Sequence, residues 1–369
     1  MLEQTPLSVL SHYAGDHHVI FDTDIGIDDV FALTNFTATQ TLSFPSVLGR
    51  PHSINVCAVS IVKGLSLNLE KAAECIQRIQ QDTGFLKKGT KLFVGAMERM
   101  DPVNGHCFSE AQWYKDYEFE RVHNELGDLA KLNPLNAIGD LEIIGNDNYV
   151  EEMIKLMEGA PDNYFTWFSI GPMTNLARLL VNEHHRKIVQ QKLKMIVIMG
   201  GAIFTNEPAN EVNQSETNFF CDGKAAKMVI EYLSEKVYLF ELSVANLHVI
   251  DAENLKILVD LINKTDDLDK IPPIVKLRRE FLKISLESCT YDTCTSTFLL
   301  YPQLFELKQV PVILYDEKPK EGIIELVENA SETDSTPLTK IWCATKLNQS
   351  LYFELIKERV CNYTEYYSL

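Results

Sequence analysis

The chain has 369 residues, 46% of them hydrophobic and 23% charged, enough apolar material for a large core in one domain or two modest ones. Its 34 basic against 52 acidic residues leave a net charge of −18, which repels polyanions and argues against binding nucleic acid or an acidic membrane surface. Apolar stretches such as 194–202 fall far short of the roughly 20 residues a membrane-spanning helix needs. The first residues, Met1-Leu-Glu-Gln-Thr-Pro-Leu, carry no basic region and no long apolar block, so the expected setting is cytoplasmic. Eight scattered cysteines lack the paired spacing of a zinc site and are expected to be reduced thiols.

Residues 1–17 read as an N-terminal extension to a single domain, 18–369. A short apolar run, Val19–Phe21, reads as a strand and 28–37 as a helix. An irregular insertion, 38–55, follows, carrying Pro45, Gly49 and Pro51. The alternation continues with strands at 57–62, 91–94, 164–170, 195–199 and 236–240, and helices at 67–81, 148–158, 173–181, 223–235 and 252–263. Residues 316–337, rich in Lys, Glu, Ser, Pro and Gly, look like exposed hairpin connections. Runs this apolar suit strands buried on both faces, so the pattern predicts an α/β fold with an open, mostly parallel sheet flanked by helices. Several strands end in Gly-rich turns, Gly95-Ala96, Gly171-Pro172 and Gly200-Gly-Ala202, where ligands of parallel sheets sit.

The densest chemistry lies at Asp22-Thr-Asp24-Ile-Gly-Ile-Asp28-Asp29, four carboxylates within eight residues directly after the first strand. Like charges this close stay ionised together when a cation compensates them, and an all-oxygen site favours Ca²⁺ or Mg²⁺ over zinc. The plainer alternative is that Asp28 and Asp29 serve the N-terminus of the following helix without any metal.

This string resembles the opening motif D-x-D-x-G-x-D-D of the inosine-uridine nucleoside hydrolases. An aspartate pair after a strand also opens haloacid-dehalogenase-type phosphatases, but those usually continue D-x-D-G-T. Downstream, Ile170-Gly-Pro-Met-Thr-Asn-Leu-Ala177 is similar to the family's G-P-L-T-N segment, and Met199-Gly-Gly-Ala202 to its M-G-G motif. The stretch from Asn210 through Glu216 and Asn218 to Ala226 resembles N-x5-E-F-N-x3-D-P-E-A-A, with Thr217 in place of Phe and Gly223-Lys224 in place of Pro-Glu. The resemblance runs from about residue 19 to about 360.

It implies a calcium ion held by Asp24, Asp29, the carbonyl of Ile170 and Asp292, with Asp22 left structural. It further implies Asp24 as the base that takes a proton from the attacking water, Asp28 on a ribose hydroxyl, and Asn210, Glu216 and Asn218 on the 5′ and neighbouring hydroxyls. The implied reaction frees a base and ribose from a ribonucleoside, and the implied assembly is a homodimer or homotetramer.

Two positions depart from the family pattern. Leu65 stands where the second strand usually delivers a polar residue towards the ribose, and its loss weakens catalysis. Tyr291 precedes Asp292 where many members place a histidine; purine-preferring members place an aromatic residue there, so Tyr291 slightly favours purine nucleosides as a stacking or proton-donating catalytic residue. His106, His123, His248 and Trp113 are further candidates for leaving-group contacts. Leu65 also supports a different class of function, a weak or inactive homologue that binds a nucleoside as a sensor.

Overall fold

The computed structural model describes residues 16–41, 52–65, 68–84, 86–101, 140–205, 209, 211, 214–248, 252–263, 291–327 and 339–361. The first half alternates strictly. Strand β1 (His17–Thr23) leads into α1 (Ile27–Thr41), β2 (Ile54–Ile61) into α2 (Leu69–Thr83), and then come β3 (Lys91–Val94) and β4 (Glu142–Ile144). Next are α3 (Tyr149–Glu158), β5 (Phe165–Ser169), α4 (Thr174–Val181), α5 (Glu183–Lys192) and β6 (Leu193–Met199). A short helix α6 (Thr217–Cys221), α7 (Gly223–Leu233), β7 (Val237–Phe240), α8 (Leu242–Ala245) and α9 (Ala252–Asn263) follow. The chain closes with α10 (Tyr291–Leu300), β8 (Phe305–Leu314), β9 (Ile324–Leu326), β10 (Thr339–Leu347) and α11 (Gln349–Cys361).

All ten strands join one sheet in the order β4-β3-β2-β1-β5-β6-β7-β10-β8-β9. Strands β1 to β7 and β10 run parallel, while β8 pairs antiparallel with both β10 and β9. From β1 the chain winds outward one way to β4, then returns to β5 beside β1 and winds the other way. The boundary between β1 and β5 is therefore a topological switch point, where a crevice opens outside the carboxyl ends of the strands.

Alternation along the strands feeds two cores. On one face Val19 and Phe21 of β1 pack with Val30, Phe31 and Phe36 of α1, Ile76 of α2 and Phe298 of α10. On the other, Ile20 packs with Tyr149 and Met153 of α3, Leu176 and Leu180 of α4, Val229 of α7 and the fully buried Trp167. Among the described residues no helix is long and apolar enough to cross a membrane.

Two sequence expectations change. Helix α1 runs on to Thr41 and β2 begins at Ile54, so both elements enter the 38–55 interval read as an insertion; its middle lies outside the described residues. The 316–337 region contains strand β9, and although residues 317–320 of its turn are exposed, Glu321 is only 2% exposed. Strand β4, helix α5 and strands β8 to β10 were absent from the sequence reading. Each is short, mixed in polarity or lacks a clean period.

Candidate active site

The two aspartates flanking Thr23 are two residues apart, a spacing that would keep them on one face of a continuing strand; they part company because β1 ends at Thr23 and the chain turns sharply at Ile25. Asp22 turns to the α3 and α4 face and is fully buried, accepting hydrogen bonds from Ser60 Oγ at 2.7 Å and Asn175 Nδ2 at 2.8 Å. Asn175 also donates to Ser60 Oγ and to the Ile61 carbonyl, and its Oδ1 accepts from Ala96 N at 2.7 Å. The Ser60 and Tyr149 hydroxyls hydrogen-bond at 2.8 Å. Burial pushes the Asp22 carboxyl up to about 7 against these donors. This enclosed network ties together the ends of β1, β2 and β3 and the start of α4. It also leaves Asp22 with no exposed surface.

Asp24 follows the last residue of β1 and opens the turn into α1. The turn needs Ile25 at φ +56°, a left-handed conformation that a β-branched residue rarely adopts and that recurs at functional sites. Local hydrogen bonds hold it: Ile25 N donates to Thr23 Oγ1 at 3.1 Å, Gly26 N to Asp29 Oδ2 at 2.9 Å, and Thr23 Oγ1 to Asp29 Oδ1. Asp28 and Asp29 sit in the first turn of α1, where the helix dipole favours negative charge.

The fourth carboxylate arrives from far along the chain. Asp292 occupies the first turn of α10, which packs beside α1, with Asn35 Nδ2 donating to Ser296 Oγ at 3.1 Å between them. Two helix N-termini thus point their acids at one spot, and one oxygen each from Asp28, Asp29 and Asp292 lie within 4.8 Å of one another. Carboxyl-to-carboxyl contacts link Asp24 to Asp29, Asp29 to Asp292 and Asp292 to Asp28. Burial raises all four, and repulsion by neighbouring carboxylates adds to it at Asp24, Asp28 and Asp292: Asp28 rises to about 7, and Asp24 and Asp292 lie well above the usual carboxylate range. Hard oxygen donors this crowded and this unwilling to ionise alone suit a divalent cation.

Strand β2 supplies the rim. The backbone N–H of Leu65 donates to Asp24 Oδ2 at 2.6 Å. Gly64 lies so close that a Cβ there would stand 2.2 Å from the same oxygen. The Leu65 side chain covers the turn as well, its Cδ2 lying 3.0 Å from where a Gly26 Cβ would be, beside Asp28 and Asp29 oxygens.

Strand β5 supplies the floor. Ile170 is 2% exposed, and its carbonyl accepts from Asn218 Nδ2 at 3.0 Å; the next residue, Gly171, abuts the backbone of Asp24. Asn218 Nδ2 also reaches the Met199 carbonyl at 3.3 Å. Glu216 caps α6: Oε1 accepts from Asn218 N at 2.8 Å, and Oε2 from Gly201 N at 2.9 Å and Phe219 N at 3.1 Å. Burial pushes its carboxyl up to about 7. The three downstream motifs therefore form one hydrogen-bonded unit beside Asp24. Thr217, which replaces a phenylalanine of the family pattern, donates to Glu211 Oε1 at 2.9 Å.

Tyr291 is half-buried against the α1 core immediately before Asp292. Asn210, His106, His123 and Trp113, and the side chain of His248, lie outside the described residues. The sequence reading missed the parts played by Thr23, Ser60 and Tyr149, and by Asn175 although its motif was noticed. Lone hydroxyls and amides carry no charge signal, so only their placement around Asp22 and Asp29 exposes them.

Buried carboxylates gathered from two helix N-termini at the switch point of a parallel sheet define an α/β enzyme with a pocket for a hard cation. Which such enzyme is settled by the whole-chain match: the model of the inosine-uridine preferring nucleoside hydrolase family covers residues 19–354, and the chain belongs to that family. Solved structures with the same fold include an inosine-guanosine nucleoside hydrolase (19% identity, covering 94% of this chain and 98% of that one, TM-score 0.68). Others are a plant nucleoside hydrolase (18%, 94% and 99%, TM-score 0.64) and an inosine-uridine preferring nucleoside hydrolase from Bacillus anthracis (18%, 93% and 99%, TM-score 0.63). No curated protein matches the chain in sequence. The protein is an N-glycosidase of a metal-dependent hydrolase family, and its substrate is a nucleoside.

Proposed function

We propose that the chain hydrolyses ribonucleosides in a calcium-dependent manner, with purine nucleosides slightly favoured. The convergence of Asp24, Asp28, Asp29 and Asp292 carries this reading. Asp24, Asp29, Asp292 and the Ile170 carbonyl are the residues that would hold the ion. When bound, it supplies the charge that lets these carboxylates ionise together and lowers the pKa of a neighbouring water.

The residues then divide the work. Asp24 accepts the proton of the attacking water, and the surrounding carboxylates stabilise the oxocarbenium-like ribosyl cation as the glycosidic bond breaks and the base departs. Asp28 holds a ribose hydroxyl. Asn210, Glu216 and Asn218 orient the 5′ and neighbouring hydroxyls, supported by the rigid hydrogen bonding of the last two. Tyr291 stacks on the leaving base, and its place beside Asp292 supports that role. The family resemblance also supports a homodimer or homotetramer. The scattered cysteine spacing supports reduced thiols and a cytoplasmic setting.

A second reading, a homologue that binds a nucleoside without turning it over, rests on the apolar Leu65 side chain over the carboxylates. One experiment separates the two: purified protein with inosine, guanosine, adenosine, uridine and cytidine, following free base and ribose with and without a calcium chelator. Purine release that disappears on chelation and in Asp24→Ala supports hydrolysis. Tight nucleoside binding without products supports the sensor, and product release indifferent to chelation overturns the calcium assignment.

A further inference from the structure

We propose that the buried ion pair Arg99–Glu321 is a clamp that presses the β8–β9 hairpin onto the Glu216–Gly223 segment and so positions Glu216 and Asn218 for the ribose; this rests on the nucleoside reading above. The hairpin sequence Glu317-Lys-Pro-Lys-Glu-Gly322 is that of a solvated turn, and Tyr315 N to Ile323 O at 3.0 Å and Gly322 N to Tyr315 O at 2.8 Å close it as one. Residues 317–320 at its tip are exposed, but the returning arm turns inward. Glu321 is 2% exposed and pairs with Arg99, whose side chain is 5% exposed and comes from the loop after β3.

The contact beneath the pair is backbone against backbone. Gly322, at φ +80°, lies where a Cβ would stand 2.7 Å from Phe220 Cα and 2.8 Å from the Phe219 carbonyl; a Cβ on Gly223 would meet Glu321 Cγ and Gly322 N, each at 2.8 Å. This close approach explains why Gly223 replaces the proline of the family pattern. Asp222 joins the same cluster: it accepts from Met100 N at 2.8 Å, next to Arg99, and from Thr174 Oγ1 at 2.7 Å, and burial raises its carboxyl against these donors and the nearby Arg99. An outer tie, Lys227 to Asp316 at 2.7 Å, is partly exposed.

The segment under the clamp has little order of its own, because α6 is five residues long and a helix that short depends on what packs around it. Its inner side carries Glu216 and Asn218, bonded to Gly201, Ile170 and Met199. Its outer side meets the hairpin. Arg99 and Glu321 touch no substrate group and act as positioning residues, and the pair sits where three elements, the β3 loop, the α6–α7 junction and the hairpin, must hold register for the inner side to stay in place.

The test compares the full chain with Glu321→Gln, which keeps size and removes charge, Arg99→Lys, which keeps charge, and Lys227→Met, which cuts only the outer tie. Each is assayed with inosine and with 5′-deoxyinosine. The expected result for Glu321→Gln is a KM for inosine raised about tenfold with kcat within about twofold, and a much smaller change for the 5′-deoxy substrate. Arg99→Lys is expected to lie nearer the unaltered protein, and Lys227→Met to match it. If Glu321→Gln fails to fold, Arg99→Gln, which removes the charge from the other side of the pair, against Lys227→Met carries the same comparison, an inosine-selective rise in KM supporting the clamp and its absence overturning it. If nucleosides bind without turnover, dissociation constants replace KM. Equal effects on both substrates, or none, overturn the clamp while leaving the hydrolase reading intact. Neither turnover nor binding by the unaltered protein overturns both.

Discussion

Leu65 and Asp24, from neighbouring strand ends, are joined by a 2.6 Å hydrogen bond from the Leu65 backbone N–H to Asp24 Oδ2. The bond fixes which way the carboxylate faces. The position before Leu65 admits no side chain, since a Cβ on Gly64 would stand 2.2 Å from that same oxygen.

Gly64→Ala should therefore displace Asp24 while leaving the core untouched. A shift of about 1 Å in a reacting group can cost roughly a hundredfold in rate, so kcat/KM with the preferred nucleoside should fall by about that factor while circular dichroism is unchanged. Activity within about threefold of the unaltered protein would mean that the Asp24 orientation does not matter to the chemistry.

Leu65→Asn should raise activity. An apolar side chain beside Asp28 and Asp29 withholds a hydrogen bond typically worth about 1–3 kcal/mol. Restoring it should increase kcat by roughly ten- to a hundredfold. No gain, with the structure intact, would show that the pocket has been rebuilt around the leucine.

Chelation should change how stability depends on pH. Without a cation, Asp28 is raised from 3.8 to about 7 by burial and by Asp29, and Asp24, Asp29 and Asp292 move the same way. Raised folded-state values favour the protonated form, so this contribution is complete below the unfolded value near 3.8 and disappears as pH climbs through about 7. The chelated protein should melt higher at about pH 5.5 than at about pH 8. A bound cation depresses the same groups and reverses the difference, since ionised ligands are then lost as pH falls. Melting curves insensitive to calcium at both values would count against a cation in the cluster.

Asn175→Leu should destabilise the fold more than its distance from the chemistry suggests. It strands the Ala96 N–H and removes one of the Asp22 donors, both fully buried, at a cost of about 2–4 kcal/mol in denaturant titrations. A loss below about 1 kcal/mol would show that the network can close without the amide.

Much was legible from the chain. Apolar runs such as Val19–Phe21, followed by amphipathic segments, are enough to specify a parallel α/β sheet, since strands buried on both faces have few other homes. The aspartate density after β1 announced a charged site, and glycine-rich turns marked the strand ends where it lies. Elements without a clean period, such as β4 and strands β8 to β10, stayed hidden. So did the inward turn of Glu321, because a polar hairpin reads as solvated until Arg99 is found facing it.

Local order along the chain determined that acids would crowd the turn between β1 and α1, and the end of β1 at Thr23, with the left-handed Ile25 beyond it, sets Asp22 and Asp24 apart. Tertiary structure decided the rest. It brought Asp292 to Asp28 and Asp29 by packing α10 on α1, closed Asn175 and Ser60 over Asp22, and laid Leu65 across the rim. A carboxylate's role depends on the charges and donors within a few ångströms of it, and those neighbours come from segments that only folding brings together.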